Sequence, residues 1–170
     1  MDMKTLRVAL LAAGALLAAG CASYQAVPDD YAGPTATLVD SAFQDVGNKG
    51  RIFAVTAIDG NPIYDAFDDS SNKSSGRGFM LTLGHAYRKV PIRPMKLTLT
   101  GSHYTAAPIQ TIFNQLKGAH HSVEGTIDFT PEPDRRYVVR GELGPEGSSV
   151  WLVDERTLEV VSEKITSNKN

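Results

Sequence analysis

The residues able to do chemistry in this 170-residue chain are few. Ser70-Ser71-Asn72-Lys73 sets a serine three residues before a lysine, a spacing at which an amine can activate a hydroxyl nucleophile. The companion sequences Ser-Asp-Asn and Lys-Thr-Gly that complete such a site are missing, so residues 68–78 read as a solvated polar loop. Asp68, Asp69, Ser70 and Asn72 offer oxygen atoms to calcium, but Lys73 stands where a calcium loop needs glycine and no glutamate closes it. His85, His103, His120 and His121 are the candidate acid–base or metal-ligating residues. His120 and His121 are adjacent, so on a strand they point to opposite faces, whereas His103 and one of them flank a common segment and could converge. Trp151, the single tryptophan, could present a ring to a sugar if exposed. Tyr24, Tyr31, Tyr64, Tyr87, Tyr104 and Tyr137 are scattered and predict no patch. No catalytic, metal or cofactor motif is complete. The candidate ligand or partner surface is therefore Trp151, His103, His120 and His121, and a small hydrolase or metal-dependent enzyme using those histidines with a carboxylate is the alternative.

Cys21 is the only cysteine, and what precedes it is patterned. Lys4 and Arg7 give a positive start, and Val8 to Ala19 is uncharged but shorter than the roughly 20 apolar residues of a membrane-spanning helix. Leu17-Ala18-Ala19-Gly20-Cys21 resembles the bacterial lipobox, with Ala18 where leucine is more usual. The resemblance implies cleavage between Gly20 and Cys21 and attachment of fatty acyl chains such as palmitate to the cysteine. Ala22, in place of aspartate, implies sorting to the outer membrane. Acylation would also account for an unpaired cysteine in an exported protein.

Without the first 20 residues, about 150 remain, enough for one domain with its own core. The 17 basic residues lose Lys4 and Arg7 and the 19 acidic ones lose Asp2, which moves the net charge from −2 to about −3. There is no basic block, which argues against a nucleic-acid partner. The expected partners are the membrane, through lipid on Cys21, and a periplasmic protein or glycan.

The elements that must position these residues are mostly strands. Residues 21–33 read as a tether holding the domain off the membrane. A first strand is expected over Thr35 to Ala42, with Ala36, Leu38 and Asp40 on one side. Arg51 to Asp59 is a β-branched apolar run, Asp59-Gly60-Asn61-Pro62 a turn, and Ile63 to Phe67 the returning strand of a hairpin. Phe79, Leu81 and Leu83 alternate, as do Met95, Leu97 and Leu99, then Val123, Gly125, Ile127 and Phe129, then Tyr137, Val139, Gly141 and Leu143. Pro91 and Pro94 mark an edge or corner. Ala107 to Gly118 fits one face of a short helix, and a strand remains open there. Ser149 to Asp154 and Leu158 to Lys164 suggest a closing hairpin. The sum predicts an antiparallel β-sandwich of about 7–9 short strands over residues 34–166, with a tail at 167–170.

Gly33-Pro34-Thr35-Ala36-Thr37-Leu38, Tyr137-Val138-Val139-Arg140-Gly141-Glu142-Leu143 and the stretch from Ser149 to Val161 resemble small proteobacterial lipoproteins with a transthyretin-like or PEGA-like β-sandwich. The resemblance implies fold and location, and carries no shared catalytic activity.

Overall fold

The computed structural model describes residues 24–105 and 121–168. Ten strands and one helix follow in order: β1 (Thr35–Val39), β2 (Ser41–Gln44), β3 (Lys49–Ile58), β4 (Asn61–Pro62), α1 (Ala66–Ser74), β5 (Tyr87–Pro91), β6 (Met95–Thr105), β7 (Ser122–Phe129), β8 (Arg136–Gly144), β9 (Gly147–Asp154) and β10 (Ile165–Asn168). They form two five-stranded sheets, one ordered β10-β9-β8-β1-β5 and the other β2-β3-β6-β7 with β4 on β3. The molecule is a β-sandwich, antiparallel except that β1 runs parallel to β8.

Period-two patterning builds the core. Leu97 and Leu99 of β6, Val123 and Ile127 of β7, and Val139 of β8 project between the sheets and meet Leu38, Val55, Val150 and Leu152. Phe53 is buried in the core, its ring against Gly101 of its own sheet and Gly141 of the other. A side chain on Gly101 or Gly141 would strike its ring at 2.8 or 2.4 Å, so both positions must stay bare. At the far edge Ile165 packs over Gly125, and the Ser167 hydroxyl donates to the Ser122 carbonyl at 3.0 Å. β10 therefore runs past the expected domain boundary at 166.

The expected first strand is split at Asp40, where the chain leaves one sheet and enters the other. The Asp59–Gly60 turn forms, with both residues at positive φ (51° and 78°) as a tight hairpin requires. Its return is only β4, because after Ile63 the chain turns into α1. The helix corrects the loop reading of residues 68–78: Asp65 caps Phe67 and Asp68, and the Asp68 carboxylate reciprocates on the Asp65 N–H. Ala66 and Phe67 cover Ile52, Ala54 and Tyr104 on the outer face of the second sheet.

The Phe79–Leu83 alternation does not make a strand. The backbone there is bonded by helix side chains: Ser74 Oγ accepts from Thr82 N–H at 3.0 Å, and Ser70 Oγ accepts from Gly84 N–H at 2.8 Å. The closing hairpin is likewise reduced to one bridge, Val153 to Val160, before the chain reaches β10. The helix read at 107–118, and Gly20 and Cys21, lie outside the described residues.

Candidate functional site

The seam between β5, the edge of one sheet, and the β3–β4 hairpin, at the edge of the other, holds a cleft of about 700 Å³. Residues 24–33 form its outer wall. They do not behave as a free tether: Tyr24 and Ala26 pack against the core, Tyr31 N–H bonds to the Pro28 carbonyl, and the Tyr31 hydroxyl donates to the Pro34 carbonyl at 3.1 Å. Tyr24, Tyr31, Tyr64 and Tyr87 all line the cleft, together with Asp69, His85, Arg88 and Lys89. Tyrosines that define no patch along the sequence thus converge once β5 and the 24–33 segment are brought together. Only the fold could reveal this, because no local spacing links them.

The floor of the seam is set by Asp40. One carboxylate oxygen accepts Val55 N–H at 3.1 Å, and the other accepts Ala66 N–H at 3.0 Å and the Arg88 guanidinium at 2.5 Å. Arg88 also donates to the Val55 carbonyl at 3.2 Å. Both polar groups of Val55 are thereby satisfied by side chains at the point where β3 bulges, between the stretch paired with β2 and the stretch paired with β4. Ala66 N–H belongs to the first turn of α1, so the same carboxylate also meets the positive end of the helix. Burial pushes the Asp40 carboxyl above its ordinary range, against the lowering effect of Arg88. Asp65 is pushed up to about 6, first by burial, with the Asp68 and Asp40 charges adding to it and two backbone N–H bonds opposing.

The rim is mixed. Asp69 is held below its usual range, chiefly by Lys73 at 2.6 Å, and also accepts His85 N–H and the Tyr64 hydroxyl. Asn72 donates to the same Tyr64 hydroxyl at 3.2 Å. The Tyr31 and Tyr64 rings are thus pinned through their hydroxyls while Tyr87 projects freely outward. His85, Tyr87 and Lys89 alternate on the exposed side of the edge, and Ala86, Arg88 and Val90 face inward. Tyrosine rings with charge at the margin offer chemistry suited to flat or amphipathic groups.

The Ser70–Lys73 pair cannot act as nucleophile and base. Ser70 is fully buried, donates to the Ala66 carbonyl at 2.6 Å and accepts from Gly84, while Lys73 is engaged by Asp69. Asp68 and Asp69 serve the cap and the Lys73 ion pair on a helix, which removes the calcium-loop geometry. His103 and His121 do converge: His121 N–H donates to His103 Nδ1 at 3.1 Å and the rings lie 5.6 Å apart. Together with the His103 N–H to His121 carbonyl bond, this closes the base of the 106–120 segment. His120 lies outside the described residues. Trp151 is on the outer face of β9, with the Lys164 ammonium 4.1 Å from its ring centre, a cation–π contact on a half-buried ring. Among the described residues, no group of three or more His, Cys, Asp or Glu is arranged to hold a metal ion. Nor, among those residues, is any helix long and apolar enough to cross a membrane.

No family model matches the chain, and no curated protein or solved structure matches it. What the site can do therefore rests on its own geometry.

Proposed function

We propose that the protein is a lipid-anchored, non-catalytic interaction module of the cell envelope, held through Cys21 on the periplasmic face of the outer membrane. The observation that carries this reading is the run from Lys4 to Cys21: a charged start, an uncharged stretch too short to span a bilayer, and small residues leading to the only cysteine. Ala22 is the basis for placing it at the outer membrane. The resemblance to small β-sandwich lipoproteins points the same way.

The chemistry of the cleft supports binding over turnover. Two of its lining charges are paired, Arg88 with Asp40 and Asp69 with Lys73, and four tyrosines line it. The enzymatic alternative would draw on His103, His120 or His121 with a nearby carboxylate, but His103 Nδ1 is already committed to the His121 amide.

The test is the intact mass of protein extracted from membranes, together with fractionation of Cys21→Ala. Wild type should carry the mass of acyl chains and sediment with outer membrane, and the variant should be released. A Cys21→Ala protein that still fractionates with outer membrane would contradict the anchor.

A further inference from the structure

We infer that the seam cleft and the outward row of β5 face the bilayer itself, so that the protein lies on the membrane with its clustered tyrosines at headgroup level instead of standing off on a tether. This deepens the proposed function and rests on acylation of Cys21.

The first argument is length. Only Ala22 and Ser23 lie between Cys21 and Tyr24, and those three steps span at most about 11 Å even when fully extended. Tyr24 already packs on the core and lines the cleft. A folded chain of this size has a radius of gyration of about 15 Å, so a wall within 11 Å of the anchor belongs to the pole that meets the membrane. A free linker over residues 21–33 would instead reach about 20 Å on average and leave orientation open.

The second argument is the chemistry of that pole. Tyrosine is favoured at the membrane–water interface, where its ring and hydroxyl meet different surroundings. Tyr87, Tyr64 and Tyr31 are 76%, 44% and 37% exposed around the cleft. Lys89, beside Tyr87 on the exposed edge, adds attraction to anionic headgroups. Asp29, also on the cleft wall, opposes that charge, so the contact is carried by the rings and by tethering more than by net charge.

The test uses the full chain, acylated in cells and reconstituted into phosphatidylethanolamine–phosphatidylglycerol vesicles whose acyl chains carry bromine. In a Trp151→Phe background, one tryptophan is introduced by Tyr87→Trp or, separately, by Tyr31→Trp. The comparison is Glu146→Trp, at the exposed β8–β9 turn. That turn lies about 20 Å along β8 from Val138, which is at the register level of Tyr87. The expected result is strong quenching and a blue shift at 87 and 31, and water-like, unquenched emission at 146. Quenching at 87 and 31 no greater than at 146, in protein whose mass confirms acylation, would overturn the inference and leave the anchor standing. A mass without acyl chains would overturn both.

Discussion

At the seam, Asp40 and Asp65 are only 2% and 6% exposed; at the end of β9, where the chain turns, Asp154 is 5% exposed. Similar exposure accompanies opposite acidities, because Asp40 and Asp65 lie deep, where desolvation dominates, and Asp154 lies near the surface, where its donors dominate. Asp154 accepts the N–H groups of Arg156 and Thr157 at 2.9 and 3.0 Å and the Arg135 guanidinium at 3.1 Å, and its carboxyl is held below the usual range, chiefly by the Thr157 amide. At the seam, desolvation outweighs the donors and both buried carboxyls rise, Asp65 with the added repulsion of Asp68 and Asp40. The turn is an electrostatically relaxed structure that stabilises its charge. The seam holds charge at a cost, where the chain changes sheets, the helix begins and the cleft opens.

The largest test of that contrast is Asp40→Ala. It strands the Arg88 guanidinium and the N–H groups of Val55 and Ala66 together, and a loss of about 3–5 kcal/mol is expected in urea unfolding. Ser70→Ala comes next. It leaves the buried Gly84 amide without its acceptor and should cost about 1–3 kcal/mol. Asp65→Asn should be smaller and of opposite sign. Asparagine still caps the helix, while the penalty of the buried charge disappears, so stability at pH 7.5 should rise by about 1 kcal/mol.

The pH dependence separates the two regions further. Asp65 takes up a proton near pH 6 in the fold, but only near 3.8 when unfolded, so the native state binds more protons between those values. Its contribution is complete below about pH 4 and is lost as pH rises through about 6. Asp154, with its depressed value, contributes in the opposite sense: its stabilisation is present above 3.8 and is lost as pH falls below that. Asp65→Asn should flatten the slope between pH 4 and 6 and leave the acid limb in place, which thermal melts across pH 3–8 would show.

The strands were legible because burial on one face imposes a period of two. The alternations at Met95–Leu99, Val123–Phe129 and Tyr137–Leu143 all face the core, as does Leu38 in β1. Asp40 keeps the same phase as Ala36 and Leu38, and is buried with them. Helix α1 was obscured because its stability is tertiary. Its sequence is polar, and it is held by Asp40 on its first turn and by Ser70 and Ser74 bonding to residues 82–84. Asp65-x-x-Asp68 was the one local signal that could have marked its start. The alternation of Phe79, Leu81 and Leu83 misled for the complementary reason, since a backbone satisfied by serine hydroxyls needs no partner strand. The cleft was the least legible feature: its four tyrosines come from three separate segments, and they share a cleft only in the fold.

The central claim is that residues 24–33 are a wall of the domain and its binding seam, not a linker to it. Hydrogen exchange resolved by residue, on the acylated protein in vesicles and on the Cys21→Ala protein in solution, tests this most directly. The Tyr31 amide, bonded to the Pro28 carbonyl, should exchange well below the unfolded-chain rate in both. Exchange of the Tyr31 amide at the unfolded-chain rate in both samples would return the segment to a tether and remove the wall of the cleft.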